Sequence, residues 1–290
     1  MTKAVRQFRS IGWIRILLFI VPYVLIAGGF HALGLVAIRE GLNHELWQLS
    51  SIEDLTYTAF DLLATLLSVW IFMRYVDKES FISLGFKIKD RLAEIGLGIG
   101  IGAFAVGLGF SIIWSQRALS FEGVTFNFNE LLAAISLFII VAINEEVLIR
   151  GYILKNLMVS FNKYLALLIS AALFTFMHSR NPGIDGLALV NLFLAGLLLG
   201  SFYIYTRNLW LPIVLHFSWN FFQSIFGFNV SGHDSYSLIQ TSISQANQLN
   251  GGEFGFEGSF ISTVLLTLIL IAVFYHFKRK RELIINEVPL

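Results

Sequence analysis

Eight long runs of apolar residues divide the chain, each closed by charged or turn-forming positions, at about 11–37, 54–75, 92–114, 130–158, 162–179, 185–206, 208–227 and 259–277. Runs of this length predict helices that cross a bilayer, because roughly 20 residues span a hydrocarbon core about 30 Å thick. The fourth run is interrupted differently from the others. Its apolar stretch 131–143 ends in Asn144-Glu145-Glu146-Val147-Leu148-Ile149-Arg150, two adjacent carboxylates and an arginine. Charge at bilayer depth costs roughly 2.5 to 3.5 kcal/mol per residue, so such a cluster marks a candidate functional site. Glycines at every second position of the third run, from Gly96 through Gly102, predict close helix approach; with no strand before them they do not form a phosphate-binding loop. Segment 227–259 has no Lys or Arg and is rich in Gly, Ser, Asn and Gln, which predicts a long extracytoplasmic loop, with 251–256 either a flexible turn, the favoured reading, or a segment dipping back toward the membrane.

Composition sharpens this to a fold class. With 56% hydrophobic residues, 13% charged and a mean hydropathy of +0.74, the chain is expected to be an all-α polytopic membrane bundle of about eight transmembrane helices. Eight spans and their loops fill 290 residues, so a single integral-membrane domain over 1–290 is expected. The absence of cysteine excludes disulfides, thiolate metal sites and cysteine nucleophiles. A net charge of +1, with no basic stripe interleaved with aromatics, gives no reason to expect nucleic acid as a partner. Lys3, Arg6 and Arg9 precede the first apolar run as in a signal peptide, but that run is too long and lacks a small-x-small cleavage site, so it is expected to be retained. Assigning Lys and Arg to alternate loops puts sixteen on one side, and only Arg39, Arg117 and Arg180 on the other. That asymmetry predicts a multi-pass protein of the cell membrane with both termini cytoplasmic.

Three polar pairs share one helical spacing. Residues four apart lie on one face of a helix, which stacks Glu146 on Arg150, Phe174 on His178, and His216 on Asn220. Glu145 is turned from Glu146 by about 100 degrees, so Arg150 can hold Glu146 ionised while Glu145 faces elsewhere. A carboxylate kept from bulk water is a competent base, and peptide hydrolysis needs a base, a water and donors for the oxyanion. Glu145 with His178 would activate the water, and His216 with Asn220 would hold the oxyanion. The same residue types can instead bind a divalent metal such as zinc, and both chemistries remain open. At 1.5 Å per residue, Glu145 lies about 22 Å from a helix start near residue 130, so it meets His178 only if the fourth helix continues to near residue 158. Arg15 and Asp61 are expected to form a structural pair between the first two spans, and His31, His44, His233 and His276 to be structural.

The ordered set Glu145-Glu146-x-x-x-Arg150-Gly151, Phe174-x-x-x-His178 and His216-x-x-x-Asn220, with Leu209-Trp210-Leu211-Pro212-Ile213 leading to the last histidine, resembles the CAAX protease and bacteriocin-processing (CPBP, or Abi) family, type II CAAX prenyl endopeptidase-like. Similarity is expected over about 80–280, the catalytic core. One departure is Ile149, where an aromatic usually precedes the arginine. The resemblance implies an eight-helix intramembrane endopeptidase that cuts a membrane-associated peptide or protein. It also implies a catalytic set of Glu145, Glu146, Arg150, His178, His216 and Asn220, and membrane lipid as surroundings. It does not choose between a metalloendopeptidase and a metal-free glutamate-type peptidase. No HExxH occurs and no Gly-x-Ser-x is partnered with a histidine at depth, which disfavours other intramembrane protease classes. The alternatives are a non-catalytic scaffold or immunity protein of the same family, and a transporter with a water path along Asp61 and Arg15.

Overall fold

A computed structural model describes residues 11–38 and 50–286. Among the described residues eight helical rods carry the fold, and the expected all-α bundle is what forms. They are α1 (Gly12–Ala37), α2 (Ser51–Phe72, continued by a π turn Met73–Asp77), α3 (Leu92–Ser115), α4 (Phe128–Ser160), α5 (Lys163–Met177), α6 (Gly186–Thr206), α7 (Trp210–Ile225) and α8 (Phe260–Asn286). Among the described residues six helices are long and apolar enough to cross a membrane, and the chain is a multi-pass membrane protein. The two short rods, α5 and α7, have 15 and 16 residues.

Local sequence explains the boundaries. Asn127 caps α4 by accepting from the backbone N–H groups of Asn129 and Glu130, Asn162 does the same for α5, and Asp185 accepts from Ala188 to start α6. Pro182 and Gly183 stand just beyond α5 and prevent its continuation, so that helix stops at Met177. By contrast α4 carries no proline and runs unbroken past its charged cluster to Ser160, as the reach from Glu145 to His178 requires. Its stretch Val147–Leu154 is wound as a π-helix, a local widening that often accompanies functional sites.

The α3–α7 and α1–α2 contacts are extensive. Gly98 and Gly102 bring α3 onto α7: a Cβ at Gly102 would meet Ser218 Oγ at 2.4 Å, so only glycine permits this approach, whereas Gly96 and Gly100 face open space. One apolar core packs α1, α2, α4, α5 and α6 around Phe19, Tyr152 and Tyr203, and a second packs α3, α6, α7 and α8 around Phe256.

The expected loop after α7 is not a plain surface turn. Phe254 and Phe256 are buried, and the segment folds as two short 3-10 turns that enter the bundle. Asn191 on α6 holds it by donating to the carbonyls of Glu257 and Ser259. Two apolar rings in six residues make this docking favourable, a signal that the glycines around them obscured. A two-stranded antiparallel ribbon, β1 (Ser120–Val124) with β2 (Ile239–Ser242), ties the same loop to the α3–α4 connection.

Candidate active site

Glu146 lies at the junction of the α-helical and π-helical parts of α4 and is fully buried with Arg150. Arg150 Nη1 donates to Glu146 Oε1 at 2.7 Å, Nη2 donates to the Gly196 carbonyl on α6 at 3.3 Å, and the guanidinium lies 4.5 Å above the Phe174 ring of α5. An ionised pair of this kind fixes both side chains, and the stacked ring replaces part of the lost hydration of the cation. The same Glu146 Oε1 is 3.0 Å from His216 Nδ1 on α7. Since that oxygen already accepts from Arg150, the imidazole Nδ1–H donates to it, and His216 Nε2 is left facing away from the pair.

His178 is oriented by a different route to the same end. Because α5 stops at Met177, the N–H of His178 turns back to Thr175, and the Phe174 carbonyl loses its helical partner. His178 Nδ1–H fills that place at 2.8 Å, which leaves its Nε2 outward. Both free Nε2 atoms point at one oxygen: Glu145 Oε2 is 3.7 Å from that of His178 and 3.9 Å from that of His216. These gaps are longer than hydrogen bonds, and Glu145 Oε2 is buried without a hydrogen-bond partner among the described residues. An unsatisfied carboxylate oxygen between two oriented imidazoles is costly unless something polar is to be held there.

All of this opens on a cavity of about 400 Å³. Glu145, His178, His216 and Asn220 line it, while Glu146 and Arg150 stand behind its wall. Asn220, one turn along α7 from His216, is part of the same lining. Leu137, Phe138, Leu198, Leu215 and Trp219 form an apolar part of the wall, and polar side chains form the rest. Thus α4, α5 and α7 bring the six expected residues to one place.

Sequence reasoning missed part of the lining. His233, read as structural, reaches the cavity with Ser231, Asp234 and Ser235, and α2 contributes Asp54, Tyr57 and Thr58. Docking of this strand of loop depends on Gly232, whose φ is +86 and whose missing Cβ would fall 2.0 Å from the Pro182 carbonyl oxygen. A glycine beside a histidine in an otherwise cation-free loop was the available sign. Two further expectations are corrected. Asp61 does not meet Arg15; it pairs with His31 at 2.7 Å and accepts from Asn144 at 2.9 Å, so His31 does have a partner. Arg15 instead donates to Asp77 and Asn156. His44 lies outside the described residues.

The donor types here, two imidazole nitrogens whose other nitrogen is held by an acceptor and one carboxylate oxygen, suit a divalent cation. Their spacing is not closed on one: among the described residues no group of three or more His, Asp or Glu is set to hold a metal ion.

Fold and site together define a multi-pass helical membrane protein with a carboxylate–imidazole centre facing an internal cavity. Residues 127–222 match the family model described as Rce1-like, type II CAAX prenyl endopeptidase Rce1-like. The match runs from the cap of α4 into α7, contains all six candidate residues, and bears out the resemblance to the CAAX protease family. No curated protein matches the chain.

Proposed function

We propose that this protein is an intramembrane endopeptidase acting on a membrane-associated peptide or protein, with Glu145 as general base. The observation that carries the reading is the orphaned Glu145 Oε2 between two imidazoles whose Nδ1 atoms are both occupied. In the proposed reaction Glu145 Oε2 takes a proton from a water that His178 Nε2 helps to hold, and the water oxygen attacks the scissile carbonyl carbon. The carbonyl electron pair moves to its oxygen, where the Asn220 amide and the Nε2–H of a protonated His216 donate. Collapse breaks the C–N bond, and the proton on Glu145 passes to the departing amine. Arg150 fixes the Glu146 carboxylate by a charge-assisted hydrogen bond, and Glu146 in turn accepts from His216 Nδ1–H and orients the ring. A divalent cation, if bound by His178, His216 and Glu145, would polarise the carbonyl and acidify the water. The termini are assigned to the cytoplasm by the Lys and Arg asymmetry. Arg15 and Asp61 do not line the cavity and are engaged in separate networks, so nothing favours a transport path through them.

The test is cleavage of a fluorogenic membrane-associated peptide by purified protein, wild type against Glu145→Gln and Asn220→Ala. Glu145→Gln should lower kcat by about 10²- to 10⁴-fold, as expected for a lost general base, with the thermal midpoint unchanged. Loss of one oxyanion donor in Asn220→Ala should lower kcat by about 10²- to 10³-fold with little change in KM. Equal cleavage by Glu145→Gln and wild type would remove the proposal and leave a scaffold as the better reading. Chelation with metal content measured on the same sample separates the metal-assisted from the metal-free form.

A further inference from the structure

The two ends of the bundle differ in charge and in access to the site. Arg74, Lys78, Lys87, Lys89, Lys155 and Arg207 gather at one end, where hydrogen bonds join the segment after α2 to the α6–α7 turn and to the end of α4. At the other end the described connections carry only Arg117 and Arg180, and from 208 to 277 there is no Lys or Arg at all. Arg150, counted with the cationic loops in the sequence, lies inside the protein, which leaves the asymmetry at fifteen against three. This is the pattern of a membrane protein whose cationic end is cytoplasmic.

The cavity belongs to the cation-poor end. Its rim is made by the first turns of α2 (Asp54, Thr58), Asn181 four residues past α5, which anchors the loop by donating to the Ser231 carbonyl, and the exposed His233 and Asp234. Toward the cationic end the path is shut: Glu146, Val147, Ile149, Arg150, Tyr152 and Leu154 are all buried in the packed core below the imidazoles. No lining residue comes from the cationic end.

We propose that the site is fed from the extracytoplasmic side and cuts an apolar segment presented at the outer half of the bilayer. This rests on the endopeptidase reading for the word "cuts", while sidedness of access stands on charge and geometry alone. A substrate whose scissile bond is held on the cytoplasmic side would have to pass the fully buried Glu146–Arg150 floor. The 400 Å³ cavity has an apolar wall of Leu137, Phe138, Leu198, Leu215 and Trp219 that accepts a few extended apolar residues, while Asp54, Asp234 and Glu257, with no Lys or Arg in the lining, disfavour an acidic segment.

The chain has no cysteine, so single-cysteine accessibility tests this without background. Ser235→Cys and, on a separate element, Thr58→Cys report on the rim; Ser244→Cys reports on the exposed loop, and Lys89→Cys on the cationic end. In intact cells a membrane-impermeant maleimide should label the first three, and Lys89→Cys only after permeabilisation. In purified protein a bulky maleimide on Ser235→Cys or Thr58→Cys should abolish cleavage of the fluorogenic peptide, whereas the same label on Ser244→Cys should not. Labelling of both rim cysteines only after permeabilisation would overturn the proposal, as would full cleavage with both rim positions blocked. The labelling arm needs no activity. It therefore survives failure of the endopeptidase reading, and its own failure leaves that reading intact.

Discussion

Two buried arginine–carboxylate pairs meet at α4, and they do different things. At the cationic end Arg15 of α1 donates to Asp77 of α2 at 3.0 Å and to Asn156 of α4 at 3.2 Å, while Asn156 donates back to the Tyr152 carbonyl. A turn and a half away, Arg150 holds Glu146 at 2.7 Å. Both pairs are shielded from water, and each has one carboxylate oxygen without a hydrogen-bond partner among the described residues, Asp77 Oδ2 and Glu146 Oε2. Burial and incomplete satisfaction therefore do not separate a structural pair from a functional one. What separates them is the next group outward: Glu146 passes its charge to His216 on the cavity wall, whereas Arg15, Asp77 and Asn156 line no part of that cavity.

Arg150→Met attacks the comparison where the effect is largest. Removing one partner of a buried pair costs about 3 to 5 kcal/mol, because the remaining charge is stranded. Here the stranded group is Glu146, and its neutralisation also deprives His216 of an anionic acceptor. The thermal midpoint should fall steeply and cleavage should vanish. Adding Glu146→Gln removes the stranded charge, so the double variant should regain much of the stability without regaining cleavage. Recovered cleavage in the double variant would make this pair as purely structural as its counterpart.

Asp77→Asn is the matching perturbation at the other pair, and its effect should be smaller. Arg15 keeps Asn156 and the amide keeps the shape of the site, so a loss of about 1 to 3 kcal/mol is expected, the range for a weakened hydrogen bond to a charged group. Per folded molecule, kcat should equal that of wild type, measured as initial rate against the folded fraction. A drop in kcat comparable with that of Arg150→Met would mean the two pairs act through one network.

The difference between the pairs was only half legible in the sequence. The Glu146–Arg150 contact follows from a spacing of four within one helix, and His178 and His216 could be recognised because each has a partner at the same spacing. Arg15 was assigned to Asp61 because both stand inside apolar runs, yet depth decides otherwise. Arg15 is three residues into α1 and Asp77 ends the π turn of α2, so antiparallel packing levels them, while Asp61 lies about 24 Å along α2 from Asp77. The π turn was invisible, since hydrophobicity ends near residue 75 and the helix does not. The role of His233 is hidden in the sequence, and the burial of Phe254 and Phe256 is only the less favoured of two readings there, for a related reason: their partners are distant in sequence and no period within the loop encodes them.

A third charged cluster gives the smallest effect and calibrates the other two. Lys155, one residue before Asn156, donates to Glu79 Oε2 at 2.6 Å and to Ser83 Oγ at 3.0 Å, and Ser83 donates to the same carboxylate at 2.9 Å. Partial burial pushes the Glu79 carboxyl up, but the hydrogen bonds from Lys155 and Ser83 together outweigh it and hold it below its ordinary 4.5. A carboxyl depressed on folding contributes stability that is fully present above its unfolded value and is lost as pH falls through the folded one. The difference in thermal midpoint between wild type and Glu79→Gln should therefore be constant from pH 7 down to about 5 and shrink at lower pH. Glu79 is close to half exposed, so solvent and salt limit the contribution to about 0.2 to 1 kcal/mol, and molar salt should reduce it further. A difference that persists unchanged at pH 3 would assign the effect to packing rather than charge. It would also weaken the premise that the buried pairs at the same helix are held together by their ionised forms.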